Sequence, residues 1–524
     1  MTTTYFGDNE GADVVPVARP YPRRWQALVV LALSLLVITI DNTILNVALP
    51  SIRTDLDADS SQSQWIVDSY LLVFAGLLLV GGTLGDRFGR RRALFTGLAI
   101  FGIGSLLAAL SGSALELIAC RSLMGIGSAL IMPATLSILT NIFPADERPR
   151  AIAAWAGVSG LGVALGPITG GLLLDSFGWA SVFLVNLPIV VAALVAGAIL
   201  VPESRDPASP RIDVVGVILS IAGLGAVVWG LIEASDRGWT DPVILGAFAA
   251  GAAVVVGFLA WERRVAHPML DVRIFRNLRF SAASVSVTLV FFALMGSSFL
   301  LTTYLQTIMG YSALDAGIRM LPVAFGLVVG SRASVALVHR LGTKVVVAAG
   351  LTVVAVGLGV LSTAEVDSGY GLVATALAIM GFGMALGMAP ATEAIMGSLP
   401  RAKAGVGSAM NDVLREVGGT LGVAVLGSIL AGRYASGMDN SAPGAAMDSV
   451  GGAHEVASHL GGSAGVQLIS AADHAFVDAM NTTTMVGAAV ALLGALIALA
   501  LLPARAKPVA APTASEELLE LAAV

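Results

Sequence analysis

The sequence is short of charge and nearly without cysteine. Only 12% of its 524 residues are charged, about half the share usual in soluble domains. By contrast 56% are hydrophobic and the mean hydropathy is +0.87, which excludes a water-soluble globular chain and leaves a polytopic membrane protein. The single cysteine, Cys120, lies inside an apolar run, so no intrachain disulfide is possible and the residue reads as a buried free thiol. Lysine occurs only at 344, 403 and 507, never after a glycine in a phosphate-cradling loop, so an ATP-driven pump is excluded. Histidine is scarce too; His454 and His459 are not at the i, i+4 spacing of a zinc-binding helix, and no metal is expected. No Ser/His/Asp constellation stands outside the apolar runs, so an enzyme is not expected. Nothing in the charge pattern calls for a nucleic-acid partner.

What is present is a series of apolar runs near 26–48, 64–84, 93–111, 114–137, 151–174, 178–201, 212–232, 242–262, 280–306, 315–338, 344–364, 371–395, 404–431 and 477–502. Each is long enough to cross a bilayer as a helix, which needs about twenty residues. Fourteen spans place both termini on one side. With that side cytoplasmic, Arg23, Arg24, Arg90, Arg91, Arg148, Arg263, Arg264, Lys344, Arg401 and Arg505 fall inside, and only Arg53, Arg237 and Arg433 fall outside, as the bias of positive charge toward the cytoplasm requires. Residues 1–24 carry Pro16, Pro20 and Pro22 but no small-residue cleavage site, and read as a cytoplasmic tail, not a signal peptide; 503–524 reads as a second tail. A Gly-, Ser- and Ala-rich stretch, about 432–476, is expected outside between the last two spans, as a flexible linker or a small lid.

The most distinctive stretch is Gly82-Thr83-Leu84-Gly85-Asp86-Arg87-Phe88-Gly89-Arg90-Arg91-Arg92, a basic turn between two spans. Its small residues allow two helices to approach closely. Asp86 fits either a surface ion pair or a specific contact. A degenerate copy, Val338 to Lys344 with His339 in the place of the acid, indicates an internal repeat of two related halves.

Within the spans, ionisable residues are costly and mark function by default. Asp41, in Asp41-Asn42-Thr43-Ile44-Leu45-Asn46-Val47-Ala48-Leu49-Pro50, is expected about seven residues, or ~10 Å, below the outer surface. Arg121 on span four should lie at the same depth. The two could be a pair that only fixes packing, or a pair in which Arg121 tunes the proton affinity of Asp41. Asp68, one turn into span two, either reaches the headgroups or faces a cavity beside Tyr70, where acid and ring would suit a lipophilic cation. On span thirteen, Asp412 and Glu416 are i, i+4 and Arg415 is i+3 from Asp412. They could be internally paired; with one arginine for two acids, one carboxylate is left to bind a proton or a cation, and Glu416, a turn deeper, is the candidate. Glu393, near the inner end of span twelve, ranks lower. In span five, Gly162, Gly166 and Gly170 flank Pro167, offering a smooth packing face and a bend.

These motifs resemble one family. The G-x-L-x-D-R-x-G-R-R loop at Asp86, the Asp41 motif, Arg121-x-x-x-Gly125-x-Gly127, the Gly166-Pro167 motif and the fourteen spans are together similar to the fourteen-span drug:proton antiporters of the major facilitator superfamily, over about residues 25–505. Met124 stands where relatives often have Gln. The resemblance implies an all-α membrane fold: a six-helix bundle at 25–201, two extra helices within 202–262, and a second bundle at 263–502. It further implies a monomer, in membrane lipid, that exports small lipophilic or cationic drugs against protons by alternating access, without a cofactor. Asp41 and Arg121 would couple protons, Asp86, Arg87 and Arg90 with Gly166 and Pro167 would gate, and Asp68, Tyr70, Asp412, Glu416 and Glu393 would bind substrate or proton. The E-x-x-E-R motif of proton-coupled peptide importers is missing from span one. An exporter of one endogenous metabolite or antibiotic, and more remotely a transporter-like sensor without flux, are the other readings.

Overall fold

The computed structural model describes residues 21–503 except 59, 145, 206–212, 266–267, 269, 401–402 and 439–443. The expected tails, with Arg401 and Arg505, lie outside the described residues apart from their inner ends. In chain order the helices are α1 (Arg24–Asp55), α2 (Ser60–Phe88), α3 (Arg90–Ala109), α4 (Ala114–Ile142), α5 (Arg148–Phe177), α6 (Ser181–Leu184), α7 (Asn186–Leu200), α8 (Val214–Arg237) and α9 (Pro242–Glu262). They continue as α10 (Leu278–Thr303), α11 (Ala313–Arg319), α12 (Leu321–Leu341), α13 (Thr343–Leu361), α14 (Tyr370–Met396), α15 (Ala404–Gly437), α16 (Gly444–Asp448), α17 (Val450–Leu460) and α18 (Gly462–Leu501). Among the described residues, 13 stretches are long and apolar enough to cross a membrane. To these α5 adds a helix of 30 residues, about 45 Å long at 1.5 Å per residue. The fold is all-helical, because in lipid every backbone polar group must be satisfied within its own segment.

Polar residues punctuate the runs. Ser113, Asp213, Asp241 and Asn277 accept backbone N–H bonds at the starts of α4, α8, α9 and α10, satisfying donors that a helix leaves open. The turn from α2 to α3 is made by Gly89, at φ 118°, a conformation that side chains rarely adopt.

The internal repeat is visible in the packing. In the first half α4 packs on α2 and α3, and α1 on α5; in the second α14 packs on α12 and α13, and α10 on α15. The halves meet where α15 packs on α2 and α4, and where α5 packs on α12 and α14. The extra pair α8 and α9 pack on each other, with α8 against α2 and α15.

One expectation changes. The stretch 432–476 is not mainly a flexible linker: α15 runs on to Gly437, α17 lays Val450, Ala453 and Ala457 inward, and α18 already begins at Gly462. Alanine and glycine here are small packing residues of one apolar cluster that includes Leu430, Tyr434, Ala472 and Phe476, a role that composition alone does not separate from that of linker residues. Helix α1 itself continues through Pro50 to Asp55, which puts Asp41 about 21 Å from that end of the helix.

Candidate functional site

Asp41 is bonded from two helices, α4 and α7. Arg121 of α4 places Nη1 2.5 Å from Asp41 Oδ2, and neither side chain is more than 1% exposed. The guanidinium also donates from Nε to the carbonyl of Ile66 at 3.2 Å and lies over the Tyr70 ring, 4.3 Å from its centroid. From α7, Asn186 Nδ2 donates to Asp41 Oδ1 at 2.8 Å. Behind the acid, α5 packs on α1 through glycines: a Cβ on Gly162 would strike Thr39, one on Gly166 would strike Thr43, and one on Gly170 would come within 2.9 Å of Ile44. The small face read from span five therefore seats the helix that carries Asp41. Pro167, turned elsewhere, touches Gly317 of α11 in the other half.

Tyr70 departs from its expected place. It is fully buried, donates its hydroxyl to Ser128 Oγ at 2.8 Å and packs on Phe74. It supports Arg121 and does not line a cavity with Asp68, which is half-buried. The reason is helical geometry: residues two apart point to opposite sides.

The basic turn joins the halves. Asp86 is 6% exposed and is bonded by Arg90 Nε at 2.8 Å. Its two oxygens also accept the backbone N–H groups of Gly405 and Val406, at 2.9 and 3.1 Å, from the first turn of α15. A carboxylate at a helix N-terminus meets open donors and the positive end of the dipole. Bare glycines make the contact possible: a Cβ on either Gly82 or Gly405 would strike the backbone of the other. Arg87 sits beside this latch, over Phe88. Sequence reading missed Glu203, whose Oε1 accepts the N–H of Arg91 and whose Oε2 lies 3.8 Å from Arg92.

At the same end Arg148 of α5 approaches Glu393 of α14 at 3.6 Å, a second tie across the halves that includes a sequence candidate. Nearby, Glu147 is held below the usual glutamate range by the hydrogen bonds that Arg24 donates to it, at 2.7 and 2.8 Å. A lowered value means stabilisation present above the ordinary glutamate range and lost only as pH falls through the folded value, so this pair is inert near neutrality.

The third cluster lies on α15. Asp412 and Arg415 are buried and 3.6 Å apart, too long for a hydrogen bond. Arg415 reaches across the halves, over Phe291 of α10 at 4.6 Å and Trp155 of α5 at 5.4 Å. Asp412 Oδ2, Arg415 Nε and Nη1, and the hydroxyls of Ser284 and Ser408 have no hydrogen-bond partner. Buried polar atoms in such number call for water or a ligand. Glu416 is half-buried. A small apolar cleft lies elsewhere, between α10, α12 and α14, lined by Leu294, Ser297, Met320, Met380 and Met384 among others. Among the described residues no three His, Cys, Asp or Glu gather as a metal site.

Paired half-bundles with charges buried between and within them define a membrane transporter. The chain belongs to the Major Facilitator Superfamily, in its drug:proton antiporter branch: residues 31–423 match the superfamily profile. It is 34% identical over 513 residues to the tetracenomycin C resistance and export protein of Streptomyces glaucescens, covering 95% of each chain. It is 38% identical over 482 residues to the multidrug efflux pump LfrA of Mycolicibacterium smegmatis, covering 91% of this chain and 95% of that one. The fold is similar to that of the human organic anion transporter MFSD10, with a TM-score of 0.61 at 14% identity over 91% of this chain and 100% of the other. The protein is thus a multi-pass membrane transporter and not an enzyme.

Proposed function

We propose that the protein is a proton-coupled antiporter that exports lipophilic, cationic drugs or antibiotics across the cytoplasmic membrane by alternating access. The observation that carries this reading is the Asp41–Arg121 pair, both members buried. Two charges removed from water in a membrane helix cost more than packing alone repays, and are kept where charge must change during the cycle. In this reading the arginine-rich end and both termini are cytoplasmic, and Asp86, Arg87 and Arg90 close that end against α15. Gly166 and Pro167 guide the movement of α5 between α1 and α11. Asp412, Glu416, Glu393 and Asp68 are the acids available to substrate or proton, and the unpartnered atoms around Arg415 mark the wet part of the route. A proton entering from outside displaces bound drug there; its loss inside restores drug affinity, and rocking of the halves alternates access. The imposed proton gradient supplies the energy, with no cofactor, and one chain in lipid suffices.

The test is drug-dependent collapse of a pH gradient imposed across liposomes holding the purified protein. Ethidium should collapse the gradient with native protein and fail to do so with Asp41→Asn. Normal proton-driven export by Asp41→Asn would overturn the coupling assignment. A second reading, export of one antibiotic, is favoured by the similarity to a protein named for tetracenomycin C. A response to a single antibiotic and to none of several lipophilic cations would establish it.

A further inference from the structure

Asn186 is the one partner of Asp41 that no motif pointed to. It is fully buried, at the first position of α7. Pro188 follows two residues later and lacks the N–H that would bond the Leu184 carbonyl in a continuous helix, so α6 and α7 are separated at Val185. That break is tied back by Ser105 of α3, whose hydroxyl donates to the Phe183 carbonyl at 2.8 Å. Asn186 Nδ2 donates both to Asp41 Oδ1, at 2.8 Å, and to Ser105 Oγ, at 3.1 Å. Its carbonyl oxygen Oδ1 is buried with no hydrogen-bond partner. An unpaired acceptor beside an ion pair asks for a reason.

We propose that Asn186 is the positioning residue that adapts to both protonation states of Asp41. This rests on the proton-antiport reading above and deepens it. While Asp41 is ionised it can only accept, and Asn186 Nδ2 and Arg121 hold its two oxygens. When a proton binds at Asp41 Oδ1, the acid becomes a donor there. A half-turn of the Asn186 amide then presents its free carbonyl oxygen to the new O–H, and the reverse half-turn follows deprotonation. No covalent bond other than O–H forms or breaks, and the proton stays on Asp41. Arg121, meanwhile, keeps the Ile66 carbonyl and the Tyr70 ring as its remaining partners. Among the described residues, the charged or titratable groups shown at this pair are Arg121 on α4 and Tyr70 on α2; α7 presents the neutral Asn186 and, behind it, α3 presents the hydroxyl of Ser105.

The experiment follows the pH profile of ethidium-driven gradient collapse in liposomes for native protein, Asn186→Leu, Asn186→Ala and Asp41→Asn. Removing the amide takes a charge-assisted bond from ionised Asp41 and a weaker one from the neutral acid. The midpoint of the profile should therefore move to higher pH by about one unit in both Asn186 variants. Asn186→Ala needs no extra space and carries the test where Asn186→Leu does not reach the membrane. Asn186→Thr, which keeps a donor and an acceptor, should return the midpoint most of the way. An unmoved midpoint with Asn186→Leu or Asn186→Ala, alongside loss of coupling in Asp41→Asn, would overturn the role of Asn186 alone. Retained coupling in Asp41→Asn would instead overturn the antiport reading on which it rests.

Discussion

Tyr70 shows how a side chain can serve a site without touching what the site binds. Its ring lies under the Arg121 guanidinium and its hydroxyl donates to Ser128. Tyr70→Phe keeps the ring and loses the hydroxyl's hydrogen bonds, each worth about 1 kcal/mol. Thermal unfolding in detergent should register that loss, while the range of substrates exported stays the same. A narrowed substrate range with unchanged stability would place Tyr70 on the substrate path. The contrast with Arg415 is instructive: both arginines lie over rings, but Arg121 is fully engaged by Asp41 and Ile66, whereas Arg415 keeps Nε and Nη1 unbonded. The first is built as a held counter-charge and the second as a group awaiting a partner.

Two helices decide how the elements work together. α5 turns its glycines to α1 and its proline to α11, so one helix in the first half adjoins both the acid-bearing helix and the second half. Space at Gly166 is already used up, since an added Cβ would sit 2.7 Å from the Thr43 Cβ and closer still to its hydroxyl. Gly166→Ala should cost about 1–3 kcal/mol by overpacking and slow transport, measured by the melting temperature and by ethidium flux. Thr43→Ala in the same chain should recover part of both, and failure to recover any would place the clash elsewhere. The second helix is α18. Its 40 residues would span about 60 Å at 1.5 Å per residue, twice the hydrocarbon thickness. The excess forms the hairpin with α17, where His454 and Asp473 meet at 2.7 Å.

For the molecule as a whole, the arginine-rich end is shut by contacts between halves: Asp86 on the first turn of α15, Gly82 against Gly405, and Arg148 beside Glu393. Asp86 is the strongest of these because it also neutralises Arg90, which is 1% exposed. Asp86→Asn leaves that guanidinium buried without its counter-charge, a change that costs about 3 kcal/mol in comparable pairs. The end should therefore open more often. In a Cys120→Ser background, a cysteine at Ser408, buried below the latch, should react with a water-soluble thiol reagent faster in Asp86→Asn than with Asp86 intact. Equal reaction rates would mean that the latch does not hold the end closed.

Much of this architecture is legible in the chain alone, for physical reasons. Lipid demands long apolar helices and punishes buried charge, so the runs of hydrophobic residues announce the spans, and the few acids and arginines within them announce Asp41, Arg121 and the α15 cluster. Glycines at four-residue spacing mark a packing face because only they permit it. Which helix fills that face was decided by tertiary structure, as was the burial of Tyr70. The same holds for the partners Asn186, Glu203 and the N-terminus of α15. These depend on contacts between residues far apart in sequence: Asn186 lies 145 positions from Asp41, and Gly405 lies 319 from Asp86. A neutral asparagine or a backbone N–H carries no charge to mark it in its own stretch. Its meaning is set by the charge that folding brings to it.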